Sequence, residues 1–101
     1  MHEKRRLELI IERMALNRAS HILEEAGVTG YTVLSAFAGF GGGSRWRRDG
    51  DLSHSQDMVV LIAICAQDKI DRALKDLHQL LDEQIGVLSV SAVEVLRPDR
   101  F

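Results

Sequence analysis

The chain has 101 residues, with 13 Lys and Arg against 15 Asp and Glu, a net charge of −2 and 46% hydrophobic residues. This length fits one domain with its own core, and the lack of a basic excess argues against bulk nucleic-acid or membrane-surface binding. Cys65 is the only cysteine, so no intramolecular disulfide can form, and a reducing compartment is expected. The longest apolar run, Met58 to Ala66, is too short to span a bilayer. No apolar signal segment follows the charged N-terminus, so we expect a cytoplasmic protein without direct membrane insertion.

The first part of the chain predicts a strand, a helix and a second strand. Apolar and mostly polar residues alternate from Arg6 to Arg13, which is typical of a strand with one apolar face. A helix follows, with Asn17 as its expected N-cap and Gly27 as the glycine just beyond its end. The segment from Tyr31 to about Phe37 is rich in β-branched and aromatic residues and predicts the second strand.

Residues 38–56 have neither helical nor strand periodicity, which predicts a long loop. Connections of this length are usually functional or disordered. Glycines allow successive N–H groups to form an anion-binding concavity, and serine and arginine side chains can bind phosphate oxygens. The composition suits a phosphate-binding loop and equally a plain flexible one; its candidate ligand residues are Gly39, Gly41, Gly42, Gly43, Ser44, Arg45 and Arg47.

The rest of the chain predicts a strand, a helix and a last strand. Nine consecutive apolar residues lie within the predicted strand Asp57–Ala66, and Asp68 is the expected N-cap of the next helix. Gly86 ends the following turn, Val87–Leu96 forms the last strand, and Pro98 stops it. The helix has an apolar stripe that predicts its buried face, formed by Ile70, Ala73, Leu74, Leu77, Leu80 and Leu81.

The resulting order, β-α-β-β-α-β, predicts a ferredoxin-like α+β fold with a four-stranded antiparallel sheet and two helices on one face. The third strand is apolar on both faces, so its second face needs a cover. Another copy of the same chain is the simplest cover, and we therefore expect a homo-oligomer.

Several other classes of function lack the residues that they require. The four histidines, His2, His21, His54 and His78, have no metal-ligand spacing, and no nucleophile motif is present. RNA-recognition modules share this element order but need stacking aromatics on the first and third strands, which hold none here. An acylphosphatase-type hydrolase would need a free asparagine or base beside its phosphate loop, whereas Asn17 is expected to cap a helix.

The segments Gly27–Val33 and Gly39–Gly41 resemble the PII nitrogen-regulatory family. There, Gly-x-x-Gly-Met-Thr-Val leads into a Gly-Phe-Gly that opens the T-loop, and the element order agrees from about Lys4 to Arg97. The resemblance implies a single PII-like domain over 1–101, with a T-loop at about 38–56 and a C-terminal tail at 97–101. It also implies a homotrimer that binds adenine nucleotides in clefts between subunits.

The sequence departs from the nitrogen regulators at both phosphate-binding loops. Gly42-Gly43-Ser44-Arg45 replaces Arg-Gln-Lys-Gly, the loop has no tyrosine to uridylylate, and only Gly86 remains of the Gly-Asp-Gly-Lys B-loop. The string Gly43-Ser44-Arg45, with a further arginine and Gly50 beyond it, looks more like PII-like proteins that accompany bicarbonate transporters or carboxysome components. This implies a role in inorganic-carbon metabolism and leaves open whether bicarbonate binds.

The resemblance implies a non-enzymatic sensor without catalytic residues, metal or cofactor, and leaves open whether ATP, ADP or AMP is preferred. The implied nucleotide-binding residues are Thr32, Gly39, Gly41, Gly42, Gly43, Ser44, Arg45, Arg47, Gly86, Arg97 and Arg100. The implied contacts to a protein partner are Trp46, Arg48, Asp49 and His54. A nitrogen-type regulator of a transporter or enzyme remains the alternative.

Overall fold

The computed structural model describes residues 1–41, 44–47 and 57–101, with the backbone alone described at 44–47 and 100. Within these residues the chain forms six strands and two α-helices. They are, in chain order, β1 (His2–Glu12), α1 (Leu16–Glu25), β2 (Thr32–Ser35), β3 (Ala38–Gly41), β4 (Ser44–Arg47), β5 (Met58–Cys65), α2 (Gln67–Glu83) and β6 (Gly86–Val95). Short 3-10 turns follow β1 at Arg13–Ala15 and β6 at Pro98–Arg100.

The main sheet has the strand order β2-β5-β1-β6, and every neighbouring pair is antiparallel. Directly paired residues point to the same face of a sheet, so Leu9 of β1 and Leu61 of β5 share one face. Both are fully buried in the core cluster, together with Leu23 of α1 and Leu77 of α2. The helices therefore cover one face, and the predicted ferredoxin-like fold is confirmed. Among the described helices, none is both long and apolar enough to cross a membrane.

The face of the sheet opposite the helices carries an apolar row at one end. The pairing places Leu34, Val60, Ile10 and Val87 side by side, one from each strand. Leu34 is 51% exposed and Val87 is 58% exposed. A row of four apolar side chains, two of them half-buried and two exposed, is unfavourable in water, because full burial of an exposed one would contribute about 1.5–3 kcal/mol. This observation agrees with the expectation that the second face needs a cover.

Gly27 occupies the position that the sequence predicts for it. Its φ is +94°, in the left-handed region where a side chain is strained. The amide nitrogen of Gly27 donates to the Glu24 carbonyl oxygen at 3.1 Å, and that of Val28 donates to the Leu23 carbonyl oxygen at 3.0 Å. This pair of bonds is a Schellman motif, and it ends α1 as expected.

The predicted side-chain caps of both helices are wrong. α1 begins at Leu16 behind Ala15, with Asn17 already inside its first turn, because the 3-10 turn leads the backbone directly into the helix. α2 begins at Gln67 behind Ala66. The Asp68 carboxylate instead pairs with Arg72 at 3.0 Å, one turn further along. There it still lies favourably near the positive end of the helix dipole.

Other predictions need correction at their edges. β1 begins at His2, and β2 covers only Thr32–Ser35 of the predicted strand. Leu74 is 41% exposed, because it lies at the margin of the helical stripe rather than over the sheet. The predicted loop 38–56 contains the hairpin of β3 and β4, in which Gly41 pairs with Ser44. The remainder, 42–43 and 48–56, lies outside the described residues and includes Gly42, Gly43, Arg48, Asp49 and His54.

Candidate functional site

The two ends of the sheet collect different groups of predicted site residues. At the end that we call the loop end, β1 finishes, β2 leads into the β3–β4 hairpin, and β5 and β6 begin. There Glu12 pairs with Met58, and Ile11 pairs with Gly86. At the opposite, tail end, His2 pairs with Val95, just before the tail 97–101.

The residues that flank the segment 38–56 on each side are fixed to the sheet at the loop end. The Ala36 amide donates to the Met58 carbonyl oxygen at 3.1 Å. On the other side of the segment, the Arg13 amide donates to the Asp57 carbonyl oxygen at 2.9 Å, and Arg13 Nε donates to Asp57 Oδ2 at 2.6 Å. The second bond joins two charged groups and is of the strong class. The segment therefore starts and finishes at defined positions beside β1 and β5.

The turn between α2 and β6 also lies at the loop end, and its donors are used within the chain. The Ile85 amide donates to Glu12 Oε1 at 3.1 Å, and the Gln84 amide donates to the Leu80 carbonyl oxygen at 3.0 Å. Glu12 is only 7% exposed, so this bond satisfies a buried carboxylate. The Ile85 N–H is therefore already bound to the Glu12 carboxylate and is not free to bind the anion of a ligand.

Gly86 at this turn is required by packing. A Cβ at this position would lie 2.7 Å from the Ile10 carbonyl oxygen and 3.0 Å from Leu81 Cδ2. Its φ is not in the left-handed region, which among the described glycines is adopted by Gly27 alone. The close approach to β1 is thus sufficient to explain the glycine, and a role in phosphate binding would be additional.

The tail lies against the start of α2, at the other end of the molecule. Arg97 is exposed and precedes the 3-10 turn, and Phe101 is half-buried. Lys69 Nζ donates to the Phe101 backbone oxygen at 3.0 Å, which fixes the tail on α2. The Lys69 stem also lies about 3.9 Å from the place of a Cβ on Gly27. The predicted tail residues therefore group with the end of α1 and the start of α2.

The remaining predicted residues lie along β2 and in the hairpin. Thr32 is exposed and pairs with Ile62, which places it on the face opposite the helices. In the hairpin, Gly39 pairs with Trp46, Phe40 with Arg45, and Ala38 with Arg47. A Cβ on Gly41 would meet nothing within 4 Å, so packing does not require that glycine.

Within the residues that the structure describes, one copy of the chain does not bring the two groups together. His2 and Ile11, nine residues apart on β1, mark the tail end and the loop end. At about 3.3 Å per residue they are roughly 30 Å apart. Arg97 and the turn at Gly86 lie beyond these points, on opposite ends. A ligand that touches both groups must therefore lie between two copies.

The pKa shifts that the structure shows lie outside these groups. Burial raises the pKa of the Cys65 thiol, which belongs to the core. The hydrogen bond from Arg18 lowers the pKa of the exposed Glu83 carboxyl group. Within the described residues, no three His, Cys, Asp or Glu side chains are grouped so that they could hold a metal ion.

Comparison with protein families identifies the chain. A family model described as nitrogen regulatory protein P-II matches residues 4–100. The chain belongs to the P-II family. This confirms the resemblance carried by Gly27–Val33 and Gly39–Gly41.

Solved structures of P-II-like proteins share the fold. CPII, a nitrogen regulatory PII-like protein from Thiomonas intermedia K12, was solved bound to ADP, AMP and bicarbonate; it is 24% identical, with a TM-score of 0.89 over 99% of this chain and 94% of that one. A CPII structure bound to ADP and bicarbonate is 26% identical, with a TM-score of 0.85 over 99% and 95%. A PII-like signalling protein from Thermus thermophilus is 21% identical, with a TM-score of 0.81 over 99% and 96%. Comparison with curated proteins gives no significant match.

Sequence reasoning missed four residues that shape these two ends: Glu12, Arg13, Asp57 and Lys69. Only Glu12 gave a signal, because it is charged and lies at the end of an alternating strand. Its partner Ile85 is 73 residues away, and Asp57 is 44 residues from Arg13. Such pairings depend on the tertiary fold and leave no local pattern.

Proposed function

We propose that this P-II protein is a non-enzymatic sensor that binds an adenine nucleotide in clefts between the subunits of a homotrimer. One observation carries the proposal: the loop-end and tail residues matched to nucleotide binding lie at opposite ends of each subunit, roughly 30 Å apart by strand length. A cleft between neighbouring subunits can bring the loop end of one copy to the tail end of the next. A site within one copy cannot.

The uncovered face of the sheet supports the trimer. The row Leu34, Val60, Ile10 and Val87 is contiguous across all four strands, and two of its members are more than half exposed. Contiguous apolar surface of this kind usually marks an interface. A closed ring of like subunits would bury the same row from every copy.

Charge and fold support an adenine nucleotide as the ligand. The CPII structures hold ADP with bicarbonate, and one also holds AMP. In this chain, Thr32 would lie beside the adenine, and the T-loop residues with Arg97 and Arg100 would bind phosphate oxygens. The turn at Ile85 already satisfies its N–H with Glu12. Fewer phosphate contacts at this turn favour ADP and AMP over ATP.

The finer role is a proposal about inorganic carbon. Bicarbonate accompanies ADP in CPII, and we propose it as the second ligand here. Nucleotide binding would change the order of the T-loop and the tail 97–101, and thereby the protein partner that is engaged. The partner would be a bicarbonate transporter or a carboxysome component, contacted by loop residues Trp46, Arg48, Asp49 and His54.

A nitrogen-type regulator is the second candidate, because the matching family model describes that activity. The absence of any tyrosine between Gly41 and Asp57 removes the modification that nitrogen regulators use there. We therefore favour the carbon role. Calorimetry with ATP, ADP and AMP, each with and without bicarbonate, separates the two: bicarbonate should change the affinity for ADP in the carbon sensor only.

Subunit mixing tests the inter-subunit site itself. We expect Arg45→Ala, at the loop end, and Arg97→Ala, at the tail end, each to abolish tight ADP binding, while Arg18→Ala on the surface of α1 does not. When the two defective proteins are unfolded and refolded together, a cleft with an intact loop from one and an intact tail from the other reappears in about one site in four. Mass spectrometry would first show that oligomers containing both variants have formed. If such mixed oligomers bind no ADP, a site shared between subunits is refuted.

A further inference from the structure

Two consecutive residues at the end of β1 connect the segments that meet at the loop end. Glu12 accepts the hydrogen bond from the Ile85 amide at 3.1 Å. Arg13 holds Asp57 through two bonds, at 2.9 Å and 2.6 Å. β1 is paired with β5 on one side and with β6 on the other, so its end has little freedom to move. The turn before β6 and the residue before β5 thus share one support.

The Glu12–Ile85 bond and the Arg13–Asp57 pair are each partly shielded from water. The Glu12 carboxylate is 7% exposed, and a buried carboxylate without a donor would be costly. The Asp57 side chain is 18% exposed and that of Arg13 is 48% exposed, so water screens their pairing only in part. The backbone bond between the same two residues fixes its geometry.

We propose that Glu12 and Arg13 are positioning residues that make the turn at 84–86 and Asp57 a single rigid wall of the nucleotide cleft. The rigidity follows from the contacts above, whereas the place of the wall in the cleft rests on the proposed function. Because Glu12 and Arg13 are consecutive, a change in the Arg13–Asp57 pair alters the backbone that carries Glu12. Loosening of Asp57 is therefore transmitted to the Ile85 amide.

Amide hydrogen exchange of the full chain tests the coupling. Three variants each replace a carboxylate by an amide: Glu12→Gln, Asp57→Asn and, as the matched control, Glu83→Gln. Glu83 lies beside the turn but pairs with Arg18 at 2.7 Å on the surface. We expect exchange of the Ile85 amide to be about fivefold faster in Glu12→Gln and about threefold faster in Asp57→Asn, because each variant removes the negative charge of the accepting carboxylate and so weakens the hydrogen bond. It should be unchanged in the control.

The exchange data discriminate coupling from general loosening. The variant Asp57→Glu, which keeps a carboxylate for Arg13, should recover most of the protection at Ile85. Unchanged exchange at Ile85 in Asp57→Asn overturns the coupling, as does an equal acceleration in Glu83→Gln.

Calorimetry with ADP tests the place of the wall. We expect ADP binding to weaken about fivefold in Glu12→Gln and about threefold in Asp57→Asn, in step with their effects on Ile85 exchange. Glu83→Gln should bind ADP as the wild type does. Normal ADP affinity in both variants overturns the assignment to the cleft. If the wild type itself binds no ADP, the proposed function fails, while the exchange data still decide whether the turn and Asp57 form one unit.

Discussion

Replacement of Gly86 by alanine separates packing from ligand binding at the α2–β6 turn. The added Cβ would lie 2.7 Å from the Ile10 carbonyl oxygen, 3.0 Å from Leu81 Cδ2 and 3.4 Å from Ile11 Cα. Leu81 could shift its side chain. The Ile10 carbonyl belongs to a strand that is paired on both sides, so it cannot withdraw without loss of sheet hydrogen bonds. The clash must therefore be relieved by displacement of the turn.

We expect Gly86→Ala to lower the free energy of unfolding by about 2 kcal/mol, within the range measured for overpacked sites. For a domain of this length, that corresponds to a fall in melting temperature of about 8–16 °C. Urea unfolding measures this change. Omitting nucleotide removes any stabilisation by a ligand, and using one protein concentration for all variants keeps the contribution of subunit association comparable.

Gly30→Ala is the matched control. A Cβ on Gly30 would meet nothing within 4 Å, and its φ is not in the left-handed region. We expect a change within about 0.5 kcal/mol of the wild type. If Gly86→Ala is as stable as Gly30→Ala yet loses ADP binding, the packing argument is refuted and Gly86 is a ligand residue.

Two further predictions concern single residues away from the turn. Gly27→Ala places a side chain at φ +94°, and we expect it to cost about 1–2 kcal/mol in urea unfolding, with Gly27→Asn costing less; equal stability of both variants and the wild type would contradict the strain. Cys65 is 2% exposed, and burial raises the pKa of its thiol, so we expect iodoacetamide to label it at neutral pH only when denaturant unfolds the chain. Mass spectra showing rapid labelling of the folded protein would disprove this.

Hydrophobic periodicity predicted most of the fold because burial leaves a local pattern. The alternation in β1 and the apolar run of β5 became the centre of the sheet, and most of the stripe of α2 is buried. Leu74 was predicted to be buried but is exposed, because sequence spacing alone does not show where the buried face of a helix ends. The β3–β4 hairpin was not predicted, because its glycine-rich strand has no alternation and its pairing depends on the backbone.

The helix starts were mispredicted for a different reason. Asn17 and Asp68 are good capping residues, but capping also requires the chain to arrive at the right angle. Ala15 and Ala66 occupy the cap positions because the 3-10 turn and the end of β5 deliver them there. Asp68 then pairs with Arg72 instead. The presence of good capping residues indicates approximately where a helix starts, and the conformation of the preceding backbone determines which residue is the N-cap.

The candidate site could be predicted only in part, since the contacts that shape it depend on the tertiary fold. The loop and tail residues are predictions from the resemblance, whereas the Glu12–Ile85 and Arg13–Asp57 contacts span 73 and 44 residues and required the structure. The loop-end residues and the tail residues are separated by the length of β1, and this separation affects how ligand binding and subunit association are related. If a nucleotide bridges the loop end of one subunit and the tail end of the next, its binding free energy also stabilises the assembly. Ligand affinity and subunit association are then linked, and neither is a property of one chain.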